Sequence, residues 1–141
     1  MMPPRKGVAI LGSTGSIGTS TLALIARFEA RFRVVALAAG RRVAELKEQI
    51  ERFAPEVVSV SDPRDAAELK RSLGARAPII SSGAEGLRTV ATATGADVVV
   101  FALKPMQVLE VARELAAAGA LSPRTLVISI AAGVTTGQLE E

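Results

Sequence analysis

The sequence predicts a doubly wound α/β domain built on a mainly parallel sheet, and three observations carry that expectation. Short apolar or β-branched runs alternate with longer stretches whose apolar residues recur at helical spacing. Most of these runs are apolar throughout rather than alternating, as strands covered on both faces require. The length of 141 residues fits one domain over 1–141, and no linker, repeat or low-complexity block divides it.

The first strand is expected over Val8 to Leu11, followed by a helix over Ser16 to Phe28, where Ile17, Leu22, Leu24, Ile25 and Phe28 lie near helical spacing. A second strand over Val34 to Ala38 leads into a helix over Arg42 to Phe53. There Val43, Leu46, Ile50 and Phe53 recur at intervals of three or four with charges between them. Val57 to Val60 is the third strand. Asp62-Pro63 then starts a helix, because an aspartate cap precedes a proline whose missing N–H costs nothing at the first helical position. This helix runs to about Leu73, and Gly74 ends it. Pro78 to Ile80 adds a short strand and Gly83 to Ala93 a weaker helix. Val98 to Leu103, Pro105 to Ala118 and Leu126 to Ala132 complete the pattern as strand, helix and strand, joined by right-handed crossovers.

Composition removes several chemistries. The chain has no Cys, His, Trp or Tyr, so it offers no thiol nucleophile, no imidazole base, no Ser-His-Asp triad and no N/S zinc site. A hydrophobic fraction of 49% with 22% charged residues is that of a globular protein rather than a disordered one. The basic start Met1-Met2-Pro3-Pro4-Arg5-Lys6 resembles the head of a secretory signal, but the apolar stretch after it is broken by Gly12, Gly15 and Gly18. A cytoplasmic location without membrane insertion is expected. Only four Phe supply aromatic faces and basic runs are short, so nucleic acid is not an expected partner. The net charge of +3 is compatible with an anionic ligand, but a solvated basic surface is the simpler explanation.

The most informative local feature is Gly12-Ser13-Thr14-Gly15-Ser16-Ile17-Gly18, which ends the first strand and opens the first helix. Glycines permit a tight turn and close backbone approach, and unpaired N–H groups at a helix start attract phosphate oxygens. Thr14 and Ser16 can add hydroxyl donors. The spacing is GxxGxxG rather than the usual GxGxxG, with Thr14 at the second-glycine position. Strand before, helix after and N-terminal location are the context a Rossmann-like dinucleotide loop needs. A Gly/Ser-rich turn that only caps a helix is the plainer alternative. A Walker-type loop is disfavoured, since no Gly-Lys-Ser/Thr follows.

The end of the second strand separates the two dinucleotides. An NAD site places Asp or Glu there to accept from the ribose 2′-hydroxyl, whereas this chain reads Ala38-Ala39-Gly40-Arg41-Arg42. Gly40 permits close approach, and the guanidinium groups of Arg41 and Arg42 can hold a 2′-phosphate by charge-assisted bonds. NADP(H) is therefore the expected cofactor. A solvated arginine pair is the alternative, at the cost of placing positive charge at a helix start.

At these residues the chain resembles a known family. Ala9-Ile10-Leu11-Gly12-Ser13-Thr14-Gly15-Ser16-Ile17-Gly18 and Phe32-Arg33-Val34-Val35-Ala36-Leu37-Ala38-Ala39-Gly40-Arg41 resemble the NADPH-binding part of 1-deoxy-D-xylulose 5-phosphate reductoisomerase, an enzyme of the non-mevalonate isoprenoid route. This resemblance covers residues 7 to about 100. From Ala96 onward, Ala96-Asp97-Val98-Val99-Val100, Ala102-Leu103-Lys104-Pro105 and Leu126-Val127-Ile128-Ser129-Ile130-Ala131-Ala132-Gly133-Val134-Thr135 resemble pyrroline-5-carboxylate reductase, an enzyme of proline synthesis. Together they imply an engineered chimera spliced near 96–101. A functional fragment of an NADPH-dependent oxidoreductase is one alternative. A protein built to test whether fragments make a stable sheet, with no retained cofactor binding, is the other.

The first resemblance implies that Thr14, Gly15, Ser16 and Ile17 contact the dinucleotide phosphates, and Gly40, Arg41 and Arg42 the adenosine phosphate. The second implies that Lys104 and Pro105 lie beside the cofactor ribose and Ala131, Ala132 and Gly133 near the nicotinamide. Lys104 also has the reading of a solvated residue before a proline-started helix. The second resemblance further implies a homodimer, made through a C-terminal helical domain expected beyond Glu141. The reductoisomerase metal site belongs to a later part of that family, so no metal ligand and no catalytic residue is expected here. Glu110 and Glu114, four apart on one helix, are expected to be a solvated face rather than paired acids. Cofactor binding without turnover follows.

Overall fold

In the computed structural model, which describes residues 4–119 and 123–129, each apolar run becomes a strand and each amphipathic stretch a helix. The order is β1 Lys6–Leu11, α1 Ser16–Arg27, β2 Phe32–Ala38, α2 Val43–Phe53, β3 Val57–Val60, α3 Pro63–Leu73, β4 Ile79–Ser82, α4 Gly83–Ala91, β5 Ala96–Phe101, α5 Pro105–Ala118 and β6 Leu126–Ser129. The short strand expected at Pro78 to Ile80 is a full edge strand. A 3₁₀ turn, Gly74–Arg76, sits between α3 and β4. The last strand is described only as far as Ser129.

The strands form one six-stranded sheet in the order β4-β3-β2-β1-β5-β6, and every pairing is parallel. This is the doubly wound, Rossmann-like architecture. The chain lays down β1 to β4 in one direction, then returns across the sheet and adds β5 and β6 on the other side of β1. The reversal puts a topological switch point between β1 and β5, where the carboxyl ends of neighbouring strands leave a crevice.

Two buried cores cover the two faces of the sheet. On one, Ile10, Leu37 and Val58 meet Leu22 and Ile25 of α1, Leu46 and Ile50 of α2, and Leu69 of α3. On the other, Leu11, Val35, Val99 and Phe101 meet Val90 of α4 and Val108, Val111 and Leu115 of α5. The change of face along β2 is not a strict alternation, because the register with β1 shifts between Val8 and Ala9 and leaves Val35 as the extra residue. Val35 and Ala36 consequently both serve the α4/α5 core. A second shift, between Gly7 and Val8 against β5, leaves the Gly7 N–H to donate to the Asp97 carboxylate at 2.9 Å.

Helix ends follow local chemistry. Asp62 caps α3, its carboxylate accepting from the Arg64 N–H at 2.8 Å with Pro63 in the first turn. Ala54 closes α2 in the left-handed region at φ 48°. The apolar face beside α1 remains partly open, with Leu24, Phe28, Leu126 and Ile128 exposed. No helix among the described residues is long and apolar enough to cross a membrane.

Two stability measurements check this arrangement. Leu46→Ala empties a fully buried position and is expected to cost about 2–5 kcal/mol in urea unfolding. The Arg64 amide, then its guanidinium, hold the Asp62 carboxyl below its ordinary value of 3.8. A depressed folded-state value means the stabilisation is present above that ordinary value and lost as pH falls through the lower one. Asp62→Ala therefore lowers the thermal midpoint at pH 7, and its gap to the parent chain narrows progressively as pH falls below that ordinary value.

Candidate functional site

The site grows out of the turn that ends β1. The Gly12 and Ser13 amides both donate to the Ala38 carbonyl at the end of β2, at 2.8 and 3.0 Å, so the loop begins anchored on the neighbouring strand. Gly12 has φ 93°, and a Cβ there would run into the Ala102 carbonyl after β5. Gly18, inside α1, has no room either, since a Cβ would strike the Gly12 carbonyl and lie 2.7 Å from Ser13 backbone atoms. These two glycines let strand, loop and helix touch.

Gly15 and Gly40 are different. Gly15 is the N-cap of α1 in an extended conformation, φ −76° and ψ 173°, which any residue can adopt. The nearest atom to a Cβ there is the Gly12 carbonyl oxygen at an ordinary 3.7 Å. Gly40 would meet only the Ser61 hydroxyl, at 3.6 Å. Neither packing nor backbone strain demands glycine at these two positions, and both are exposed.

Around them lies an electropositive edge. The start of α1 has no side-chain cap and no acidic residue in its first turn, so no side chain of the helix start offsets the positive end of its dipole. Ser16 and Ile17 are exposed beside Gly15, while Thr14 is buried. Arg41 and Arg42 stand at the end of β2, both exposed. Arg42 reaches back, its Nη1 lying 3.4 Å from the Thr14 carbonyl. Arg41 lies near enough to Asp62 for its charge to help lower that carboxyl, after the larger effects of Arg64.

The sequence-predicted residues therefore divide into groups. Gly12 to Gly18, Gly40 to Arg42, and Lys104 with Pro105 are brought to one end of the sheet. Lys104 is the exposed N-cap residue of α5, in the loop whose Ala102 amide donates to the Leu11 carbonyl at 2.8 Å. Ala131, Ala132 and Gly133 lie outside the described residues.

Two features escape a reading of the sequence. A cleft of about 240 Å³ opens beside Gly40, between Ser59 and Ser61 on one side and Gln107, Glu110 and Glu114 of α5 on the other. Glu110 and Glu114 thus face a cleft and not only bulk solvent. The second is Gln49 on α2, whose Nε2 donates to the Ser13 carbonyl at 2.9 Å. Its signal was present as an uncharged polar residue on the seam formed by Leu46, Ile50 and Phe53. No group of three or more acidic residues placed to hold a metal ion occurs among the described residues.

The family model for 1-deoxy-D-xylulose 5-phosphate reductoisomerase matches residues 8–121. The enzyme of that name from Chlorobium limicola is 48% identical over 98 residues, 70% of this chain and 26% of the relative. A solved structure of the Zymomonas mobilis enzyme in complex with NADPH superposes with a TM-score of 0.77 at 30% identity, covering 91% of this chain and 32% of that one. A reductoisomerase solved with NADPH, fosmidomycin and magnesium gives 0.72 at 37% identity, covering 81% and 28%. The chain spans about a quarter of the length of the curated relatives it matches.

The matched region runs through 96–101, where a second family was expected to begin, and on to residue 121. No finding supports a pyrroline-5-carboxylate reductase part, a splice or an engineered origin.

Gly18 and Gly15 differ in what the fold asks of them. Gly18→Ala is expected to cost about 1–3 kcal/mol through overpacking, whereas Gly15→Ala costs under about 1 kcal/mol as a poorer N-cap. Urea unfolding of the two variants checks the order; a larger loss at Gly15 contradicts the packing described.

Proposed function

This chain belongs to the 1-deoxy-D-xylulose 5-phosphate reductoisomerase family, and from that premise we propose that it is an NADPH-binding domain, over 1–141, of an oxidoreductase in isoprenoid biosynthesis. The observation that carries the reading is a juxtaposition at one end of the sheet. An uncapped helix start behind Gly15 stands beside an arginine pair where an NAD site would place a carboxylate.

The fit to a dinucleotide can be followed group by group. The exposed amides at the start of α1, with the Thr14 and Ser16 hydroxyls, would hold the pyrophosphate, and Gly15 leaves space where a Cβ would stand between them and the phosphate oxygens. Gly12, Ser13 and Gly18 shape the loop, and Ile17 offers an apolar contact beside it. Gly40 would admit the adenosine ribose, with Arg41 and Arg42 on its 2′-phosphate. The cleft between Ser59 and α5 would receive the adenine ring. Lys104 and Pro105 would flank the cofactor from the β5 side, and Ala131, Ala132 and Gly133 are kept as candidates for the nicotinamide end.

When bound, the dinucleotide supplies a hydride. The residues described here bind and orient it. The substrate, the metal-assisted step and the complete reaction are assigned to parts of the relatives outside the matched region. The engineered chimera is not retained, and the homodimer is kept as a proposal alone.

Calorimetric titration tests the reading: the chain is expected to bind NADPH saturably and more tightly than NADH. Arg41→Asp is the sharper variant, because Arg42 also touches the Thr14 carbonyl. Loss of charged hydrogen bonds should weaken NADPH by about tenfold to a hundredfold, leaving NADH within about twofold. Equal losses for both would refute the 2′-phosphate assignment.

A further inference from the structure

We propose that Gln49 is a positioning residue that sets the direction of the peptide groups in the phosphate loop, an inference that rests on the NADPH reading above. Gln49 lies on α2, a turn beyond the fully buried Leu46 and next to Ile50, which is 5% exposed. Its stem is therefore held by the core. Its Nε2 donates to the Ser13 carbonyl at 2.9 Å. Turning the amide over would set Oε1 against that carbonyl, so the contact itself fixes which end faces the loop.

The consequence for the loop follows from peptide geometry. In a trans peptide the C=O and the following N–H point in opposite directions. Tying the Ser13 carbonyl to α2 turns the Thr14 N–H away from α2, and that N–H has no backbone partner among the described residues. The next carbonyl, of Thr14, is held toward the same helix by Arg42 at 3.4 Å. Two successive carbonyls that would repel a pyrophosphate are thereby drawn to the rear of the loop.

The same joint carries a cost that packing alone does not explain. Ser13 Oγ and Gln49 Oε1 are both buried without a hydrogen-bond partner, although buried polar groups are ordinarily satisfied. An apolar residue at 49 would continue the seam of Leu46, Ile50 and Phe53 and remove one of these orphaned atoms. Retaining an amide there favours loop orientation over seam packing.

The test compares three ligands on the 141-residue chain by calorimetry, using NADPH, NADH and adenosine 2′-monophosphate, which carries the 2′-phosphate without a pyrophosphate. Gln49→Met keeps the side chain's length and removes the donor. It is expected to weaken NADPH and NADH by the same factor, about threefold to tenfold, and to leave adenosine 2′-monophosphate unchanged. Arg41→Asp should give the complementary pattern, weakening NADPH and adenosine 2′-monophosphate while sparing NADH. Should Gln49→Met fail to fold, Gln49→Leu, uncharged and without the donor, is expected to give the same ordering. Unchanged affinities, or equal loss for all three ligands, would overturn the role of Gln49 while leaving the NADPH reading in place. Failure of the parent chain to bind NADPH would overturn both.

Discussion

The structure turns on the close approach of backbone to backbone at the end of β1. Gly12 and Ser13 share the Ala38 carbonyl of β2, Gly12 lies against the Ala102 carbonyl after β5, and Gly18 lies against Gly12. One short turn thereby fixes the spacing of β2, β1 and β5 and the direction in which α1 leaves the sheet. A methyl group at either glycine would push these elements apart. The start of α1, which has no side-chain cap, follows directly from this contact.

Around that turn the two cores do different work. The α1, α2 and α3 face seats α2 through Leu46 and Ile50, and α2 in turn reaches the glycine-rich loop with Gln49 and Arg42. The α4 and α5 face forms the cleft beside Gly40. The bulge at Val35 gives the second core an additional residue from β2, just before the strand delivers Ala38 to the loop. Energetics and site geometry therefore meet at the carboxyl end of β2. The loop is anchored there, the arginine pair starts there, and the cleft opens there.

The glycines of the loop divide by the space around them. GxxGxxG alone cannot say which glycine serves which purpose. Space and φ separate them: Gly12 and Gly18 have no room for a side chain, whereas Gly15 has room and an unstrained backbone. A glycine that the fold does not need, at an uncapped helix start, is the stronger sign of an approaching ligand.

The sequence by itself determined the order of elements, the parallel sheet and the residues of the glycine loop and arginine pair, because each rests on local periodicity, capping or turn chemistry. The second resemblance, from Ala96 onward, goes beyond what the match over residues 8–121 supports. Only the tertiary structure decided that β4 is a paired edge strand, that a bulge breaks the alternation of β2, and that Glu110 and Glu114 border a cleft. It alone brought Gln49 to Ser13, 36 residues away. Those outcomes depend on contacts between distant segments, which spacing along one chain does not encode.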